Sequence, residues 1–252
     1  MDIVNKLNDE LLKQTFTEEQ QLSNRLNECK LIASTYAQIE NSIAVLSDMK
    51  TNTSHIYYGG MAEKLGVTER GSNKTIHSIW EEEIFSRIHP DDLLEKHLQE
   101  LRFLDFLKSI PEKERADYHI VSHIRMRDNT DKYIHVLHRM FYIASQSNGS
   151  IRLSLCLYNL TVDPSLDSAI INSADGQILE LQKQTYNDIL SVREREILQL
   201  IEQGMMSKEI ASTLSISINT AEYPGKAARK QFHRGMPDSQ RAETDLTAPI
   251  FP

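Results

Sequence analysis

The stretch Asp117–Thr161, "DYHIVSHIRMRDNTDKYIHVLHRMFYIASQSNGSIRLSLCLYNLT", decides the fold. It contains three strand-like runs, 117–129, 132–147 and 151–161, rich in β-branched and aromatic residues. In the first run Tyr118, Ile120, Ser122, Ile124 and Met126 fall on one face of a strand. His119, Val121, His123, Arg125 and Arg127 fall on the other. The intervening "RDNTDK" and "SQSNG" are rich in Asn, Asp, Ser and Gly, the residues of tight turns. Strands joined by connections this short pair antiparallel, because a parallel pair needs a long crossover. The stretch therefore predicts a three-stranded antiparallel meander.

Just upstream, "IHPDDLLEKHLQELRFLDFLKSI" (88–110) predicts a long helix. Pro90 suits its first turn, and Asp91 and Asp92 lie near the positive end of the helix dipole. Leu94, Leu98, Leu101, Phe103, Leu104 and Leu107 give a broad apolar face, with Glu95-Lys96-His97 on a polar, solvent-facing one. "WEEEIF" (80–85) reads as a solvated helical turn with Trp80 and Phe85 anchored inward. "NTSHIYYGG" (52–60) reads as a short strand closed by Gly59 and Gly60, and "MAEKLGV" as a short helix. Residues 1–41 form an N-terminal helical segment, with Leu26, Ile32, Tyr36 and Ile39 at helical spacing. Ile43–Leu46 begins a strand.

Strand, strand, short helices, long helix and three antiparallel strands in this order resemble the PAS fold over Ser42–Val162. The "HPDDL" segment ahead of the long helix is typical of that group. The resemblance implies a curved sheet with helices over one face, enclosing a core that can open into a pocket. It also implies a sensor or dimerisation role. The segment 163–189 reads as a connector, polar overall.

A second domain begins at Leu190, with "LSVREREILQLIEQGMMSKEIASTLSISINTAEY" (190–223). Ser191 and Glu194 form a capping box at a helix start. Ile197, Leu198 and Ile201 face a core, and Gly204 ends the helix. Ser207 caps a second helix in which Ile210, Ala211 and Leu214 point inward, and a third begins near Ser217. Two short helices joined by a tight turn, with small Ala211 at their crossing, make a helix-turn-helix. The residues resemble the LuxR-type helix-turn-helix family without a gap. The match runs through Leu190, Ser191, Arg193, Glu194, Glu196, Ile197, Leu198, Gly204, Lys208, Glu209, Ile210, Ala211, Leu214, Ile216, Ser217 and Thr220. The resemblance implies that the third helix, starting at Ser217, enters the major groove. Asn219, Thr220 and Tyr223 would then face bases or phosphates, and Lys208 would touch the DNA backbone.

After Tyr223 the pattern breaks. The family continues its helix, but this chain has Pro224-Gly225, and a proline inside a helix costs about 3 kcal/mol. Back-translation of Pro224–Arg241, read from the second base of each codon, permits a helical sequence beginning Leu-Glu-Lys-Leu, the kind the family has there. The tail 224–252 is therefore expected to be out-of-frame or disordered sequence, following a net deletion within the recognition helix. DNA binding is expected to be weakened accordingly. Lys226, Arg229, Lys230 and Arg234 would still attract phosphate without reading sequence.

Composition narrows the rest. The chain has 252 residues, enough for two domains. Hydrophobic residues make up 40%, enough for folded cores, and the net charge of −8 excludes a protein basic throughout. Two cysteines, Cys29 and Cys156, exclude a disulfide framework. No apolar run approaches a membrane span, and the N-terminus lacks a signal peptide's apolar core. A cytoplasmic protein with no membrane partner is expected.

Nine histidines invite a metal hypothesis, but no cysteine or acid stands at ligand spacing from them. They are expected to be solvated or at the core's edge, with no metal; His97 reads as a surface residue and Cys156 as strand packing. No glycine loop for phosphate and no nucleophile motif occurs, so no enzyme and no cofactor are expected. The reading is an α+β chain, a PAS-like antiparallel sheet with helices followed by a small all-α helix-turn-helix domain at 190–223. It would be a DNA-binding regulator, a homodimer, with a small molecule or partner acting on the PAS-like domain. The alternative is a PAS dimerisation module whose helix-turn-helix is non-functional.

Overall fold

The computed structural model describes residues 3–16, 20–146, 148–161, 169–180, 192–203, 205 and 207–216. Two compact units divide the chain: Leu7–Thr185, and Met1–Lys6 with Tyr186–Pro252.

In chain order the larger unit begins within helix α1 (Ile3–Leu12) and continues with α2 (Gln20–Ile39), β1 (Ile43–Asp48), β2 (Thr53–Tyr58) and α3 (Gly60–Leu65). Then come β3 (Asn73–Ile76), α4 (Glu82–Phe85), α5 (Pro90–Ser109) and a 3-10 turn at Glu112–Asp117. The meander expected from the sequence follows as β4 (Tyr118–Arg127), β5 (Tyr133–Ser145) and β6 (Ile151–Leu160). The sheet is antiparallel, in the order β3-β2-β1-β6-β5-β4-β7-β8. The last two strands, β7 (Ala169–Asn172) and β8 (Ile178–Glu180), lie in the segment that reads as a connector. Sequence pattern misses them because these strands are short and polar at their ends; what makes them strands is the free edge of β4, on which Ile170 pairs with Ile120.

Both faces of the sheet are covered. On one, Cys29, Ala33 and Ala37 of α2 pack on Ala44, Leu46, Leu153, Leu155 and Leu157. The small side chains let the helix approach the strands closely. Leu26 of α2 packs against this cluster too, whereas Leu31 at 71% and Ile39 at 79% are exposed and Ile32 and Tyr36 are also in the open. Helical spacing puts Ile32, Tyr36 and Ile39 on an apolar helix face, and they form an outer stripe rather than the core contact.

The other face carries α5. His89 caps it, its Nδ1 accepting from the Asp91 amide at 3.3 Å, and Pro90 occupies the first turn as expected. Asp92 accepts from the Arg125 amide at 2.6 Å and from its guanidinium at 3.0 and 2.5 Å, which pins the start of α5 to β4. The helix is buried around nearly all of its girth, through Leu93, Leu94, Leu98, Leu101, Phe103, Leu104 and Leu107. Helix α1 reaches it through a Glu10–Lys108 ion pair.

The end of α2, the turn before β1 and the start of α3 meet at Gly59, whose amide donates to the Ser42 carbonyl at 2.7 Å. A Cβ on this residue would stand 2.2 Å from the Ala37 carbonyl oxygen and 2.5 Å from that of Ser42. Backbone cannot retreat as a flexible side chain would. Gly59→Ala is therefore expected to destabilise by about 3 kcal/mol or more, the upper end of overpacking costs, in urea denaturation. Gly71→Ala meets nothing within 4 Å and bears only the left-handed backbone penalty at φ 83°, about 1 kcal/mol. Equal losses at the two positions would overturn this account of the packing.

Candidate functional site

Between α5, α4 and the sheet lies a cavity of about 30 Å³, room for one or two waters. Polar and ionisable groups gather at its wall: Glu81, Lys96, Glu100, Ser47, Ser154 and Cys156. Trp80, Phe85, Met140 and Tyr142 supply the apolar part.

The strands deliver their share by register. Cys156 of β6 stands between Val45 of β1 and Met140 of β5. In the next row Tyr158 stands between Ile43 and His138. Helix α5 delivers Lys96 and Glu100, one turn apart, with Lys96 Nζ donating to Glu100 Oε1 at 2.5 Å. The Lys96 ammonium also lies 4.6 Å from the centroid of the Phe85 ring. Tyr158 donates its hydroxyl to Glu81 Oε1 at 3.1 Å. Trp80 is held in turn by Asn8 of α1, its Nε1 donating at 2.7 Å.

Lys96 is 2% exposed and His97 7%, so the polar, solvent-facing side assigned to Glu95-Lys96-His97 is overturned for both. His97 packs edge-on against Trp80 and Phe85, at 5.6 and 5.7 Å between ring centres. Apolar residues occupy almost every direction around the first half of α5, so Lys96, His97, Gln99 and Glu100 are enclosed with them. The pair Lys96 and Glu100, at the spacing of helical neighbours, marks where the charges could be buried together. His138 is 1% exposed, and it too departs from the expected solvated or core-edge position.

The electrostatics follow from burial. Burial pulls the Lys96 ammonium down, but Glu100, Cys156 and Glu81 outweigh it and hold the group above its ordinary value. Burial pushes the Glu81 carboxyl up to about 7, with Lys96 opposing that rise and Glu100 adding to it. His97 is pushed down to about 3, by burial and then by Lys96, and His138 also falls well below its usual range for the same reasons. Both imidazoles are therefore neutral at physiological pH. The Cys156 thiol and the Tyr142 and Tyr158 hydroxyls are pushed up, chiefly by burial.

The smaller unit holds α6 (Val192–Glu202) and α7 (Ser207–Thr213). Ile197, Ile210 and Ala211 form its buried centre, with Leu200, Met205, Leu214 and Ile216 packed around them. Ala211 at the crossing, and Ile197 and Ile210 pointing inward, are as the sequence placed them. Arg193 donates to Glu196 at 2.7 Å and to the Leu214 carbonyl, joining α6 to the turn after α7. That turn passes through Ser215 at φ 51°, and the Ile216 amide returns to the Ala211 carbonyl at 3.0 Å. Lys208 is exposed on the first turn of α7. Ser217, Asn219, Thr220 and Tyr223, and the tail from Pro224, lie outside the described residues.

Residues 188–224 match the family model of bacterial regulatory proteins, luxR family. The chain thus carries a LuxR-type helix-turn-helix domain, of which α6 and α7 are the first two helices. No curated protein matches the chain significantly. Among solved structures it is similar to a Vibrio cholerae VqmA dimer, described in the absence of target DNA and as a LuxR-type receptor. That likeness has 14% identity, a TM-score of 0.30 and coverage of 79% of each chain. A phage VqmA–DPO complex is similar at 13% identity and TM-score 0.30, covering 91% of this chain and 93% of that one. A Vibrio cholerae VqmA–ligand–DNA complex is similar at 15% identity and TM-score 0.30, covering 82% of each. Among the described residues no helix is long and apolar enough to cross a membrane.

The Glu81 carboxyl makes stability depend on pH. Its value rises on folding from 4.5 to about 7, so the folded chain holds this proton more tightly than the unfolded one. The resulting stabilisation is complete below pH 4.5 and is lost as the pH rises through 7, an effect on the order of 3 kcal/mol. Glu81→Gln keeps an acceptor for Tyr158 without the charge. It is expected to raise the melting temperature more at pH 8 than at pH 5, in the presence of Lys96 and Glu100 unchanged. An equal shift at both pH values would show that Glu81 is not the titrating group.

Proposed function

We propose that this chain is a transcriptional regulator in which a PAS-like sensor domain governs a LuxR-type DNA-binding domain. The luxR-family match over 188–224, on a folded pair of helices, carries the reading. The cavity beneath α5 supports a sensing role, because charged and hydroxyl groups meet aromatic walls there, around a volume that a small molecule would have to widen on binding. Lys96 would donate to such a ligand. In the DNA complex Ser217 would start the recognition helix, Asn219, Thr220 and Tyr223 would meet bases or phosphates, and Lys208 would meet the backbone.

The proposed domains are an N-terminal helical segment at 1–41, the sensor at 42–162, a connector at 163–189 and the helix-turn-helix at 190–223. Strands β7 and β8 extend the sensor's sheet into that connector. A homodimer is supported by the outward stripe Leu31, Ile32, Tyr36 and Ile39 on α2. The protein acts in the cytoplasm and catalyses no reaction.

The break at Pro224 favours a second reading, an interaction module whose helix-turn-helix no longer binds DNA. The family match ends at residue 224, which supports treating the sequence beyond it as out of frame. A recognition helix of barely two turns is unstable without the packing that normally follows it.

Gel shifts on one promoter fragment, across salt concentrations, separate the readings. This chain is expected to bind weakly, with a steep salt dependence and little sequence preference. A version with the frame restored after Tyr223 is expected to bind specifically, at least about tenfold tighter, a gain of about 1.4 kcal/mol. Equal and specific binding by both would refute the account of the tail, and no binding by either would favour the interaction module.

A further inference from the structure

The buried face beneath α5 brings together three groups that no sequence spacing linked. Glu100 comes from α5, His138 from β5 and Cys156 from β6, all buried. One potential ligand atom from each lies within 4.8 Å of the other two. We propose that these residues form a buried site for a divalent transition-metal ion of the zinc type.

His138 points most directly to a missing partner. It is 1% exposed, and neither Nδ1 nor Nε2 has a hydrogen-bond partner. A buried imidazole left in that state is costly, and the tilted ring contact with Tyr158, 4.9 Å between centroids, does not satisfy its nitrogens. Its neutral form is the form that ligates a metal. His138 and Cys156 lie one register row apart on the same face of adjacent strands, a diagonal over which side chains can converge. Glu100 closes the set from above. Lys96 engages its Oε1, which leaves the second carboxylate oxygen for the ion.

Thiolate, imidazole and carboxylate together suit zinc, with three protein ligands and one open position. In a tetrahedral zinc site ligand atoms stand roughly 3.3–3.8 Å apart, so side-chain rotation must draw these in by about 1 Å. Charge also favours the ion. With a thiolate at Cys156, two negatively charged ligands, Cys156 and Glu100, face the dication. On binding, the Cys156 S–H bond gives way to a sulfur–metal bond, and the proton leaves to solvent. Glu100 and Cys156 line the cavity, where Ser154 and Tyr142 also lie, so a fourth ligand would be water or a donor atom of a small molecule held there. This inference does not depend on DNA binding.

The test uses the full chain, stripped with a chelator and titrated with cobalt(II), then with zinc as competitor. One equivalent of cobalt is expected to bind, giving a near-ultraviolet thiolate charge-transfer band and visible bands of tetrahedral type, both bleached by zinc. The chain has two cysteines, so retention of the band in Cys29→Ser assigns it to Cys156 without disturbing the site. His138→Gln is expected to weaken cobalt binding at least tenfold. Absence of stoichiometric uptake, a spectrum without the thiolate band, or its loss in Cys29→Ser would each overturn the proposal. The gel shifts described above read DNA binding separately, so either result stands alone.

Discussion

Helix α5 is enclosed on nearly every side, and it carries an ion pair into that enclosure. Everything around the cavity follows from this constraint. A lysine at 2% exposure cannot keep its charge without opposing charge close by, and Glu100 one turn on supplies it. Burial acts on the neighbouring groups as well. It makes Glu81 harder to ionise against the pull of Lys96, it holds the nearby histidines neutral with Lys96 adding to the effect, and Tyr158 turns its hydroxyl to Glu81. Replacing a buried ion pair with hydrophobic residues of similar volume is often neutral or stabilising, so this pair is weak evidence for a stabilising role.

The two faces of the sheet solve different problems. Under α2 the strands meet alanines and a cysteine, so the helix lies close and Gly59 has no room for a side chain. Under α5 the strands meet long leucines, aromatic rings and the ion pair, and a cavity of about 30 Å³ remains among them. The cost of the close layer is the outer face of α2, where large apolar side chains are left in water.

Much of this is legible along the chain itself. The meander, the turns between its strands, the capped start of α5 at Pro90 and the inward Ile197, Ile210 and Ala211 all rest on neighbours in sequence. Periodicity and capping are local physics, and local physics can be read residue by residue. What is not legible has one origin. Ile32, Tyr36 and Ile39 share a helical face, yet spacing alone does not say which face meets the sheet. Strand β7 exists because β4 offers an edge, a fact about another part of the chain, and β8 pairs on β7 in turn.

By itself, then, the sequence determined the kinds of element, their order and the LuxR-type helix-turn-helix, whose residues match their family in an unbroken run. Tertiary structure alone decided what became of the polar residues of α5 and of the histidines and cysteine in the sheet. Lys96 and His97 look like surface until a helix, a sheet and a second helix close around them. Glu100, His138 and Cys156 are distant in sequence and meet only because strand register and helix placement aim them at one point. Burial and convergence are properties of the packed chain, and they set the ionisation of these groups and therefore the chemistry open to them.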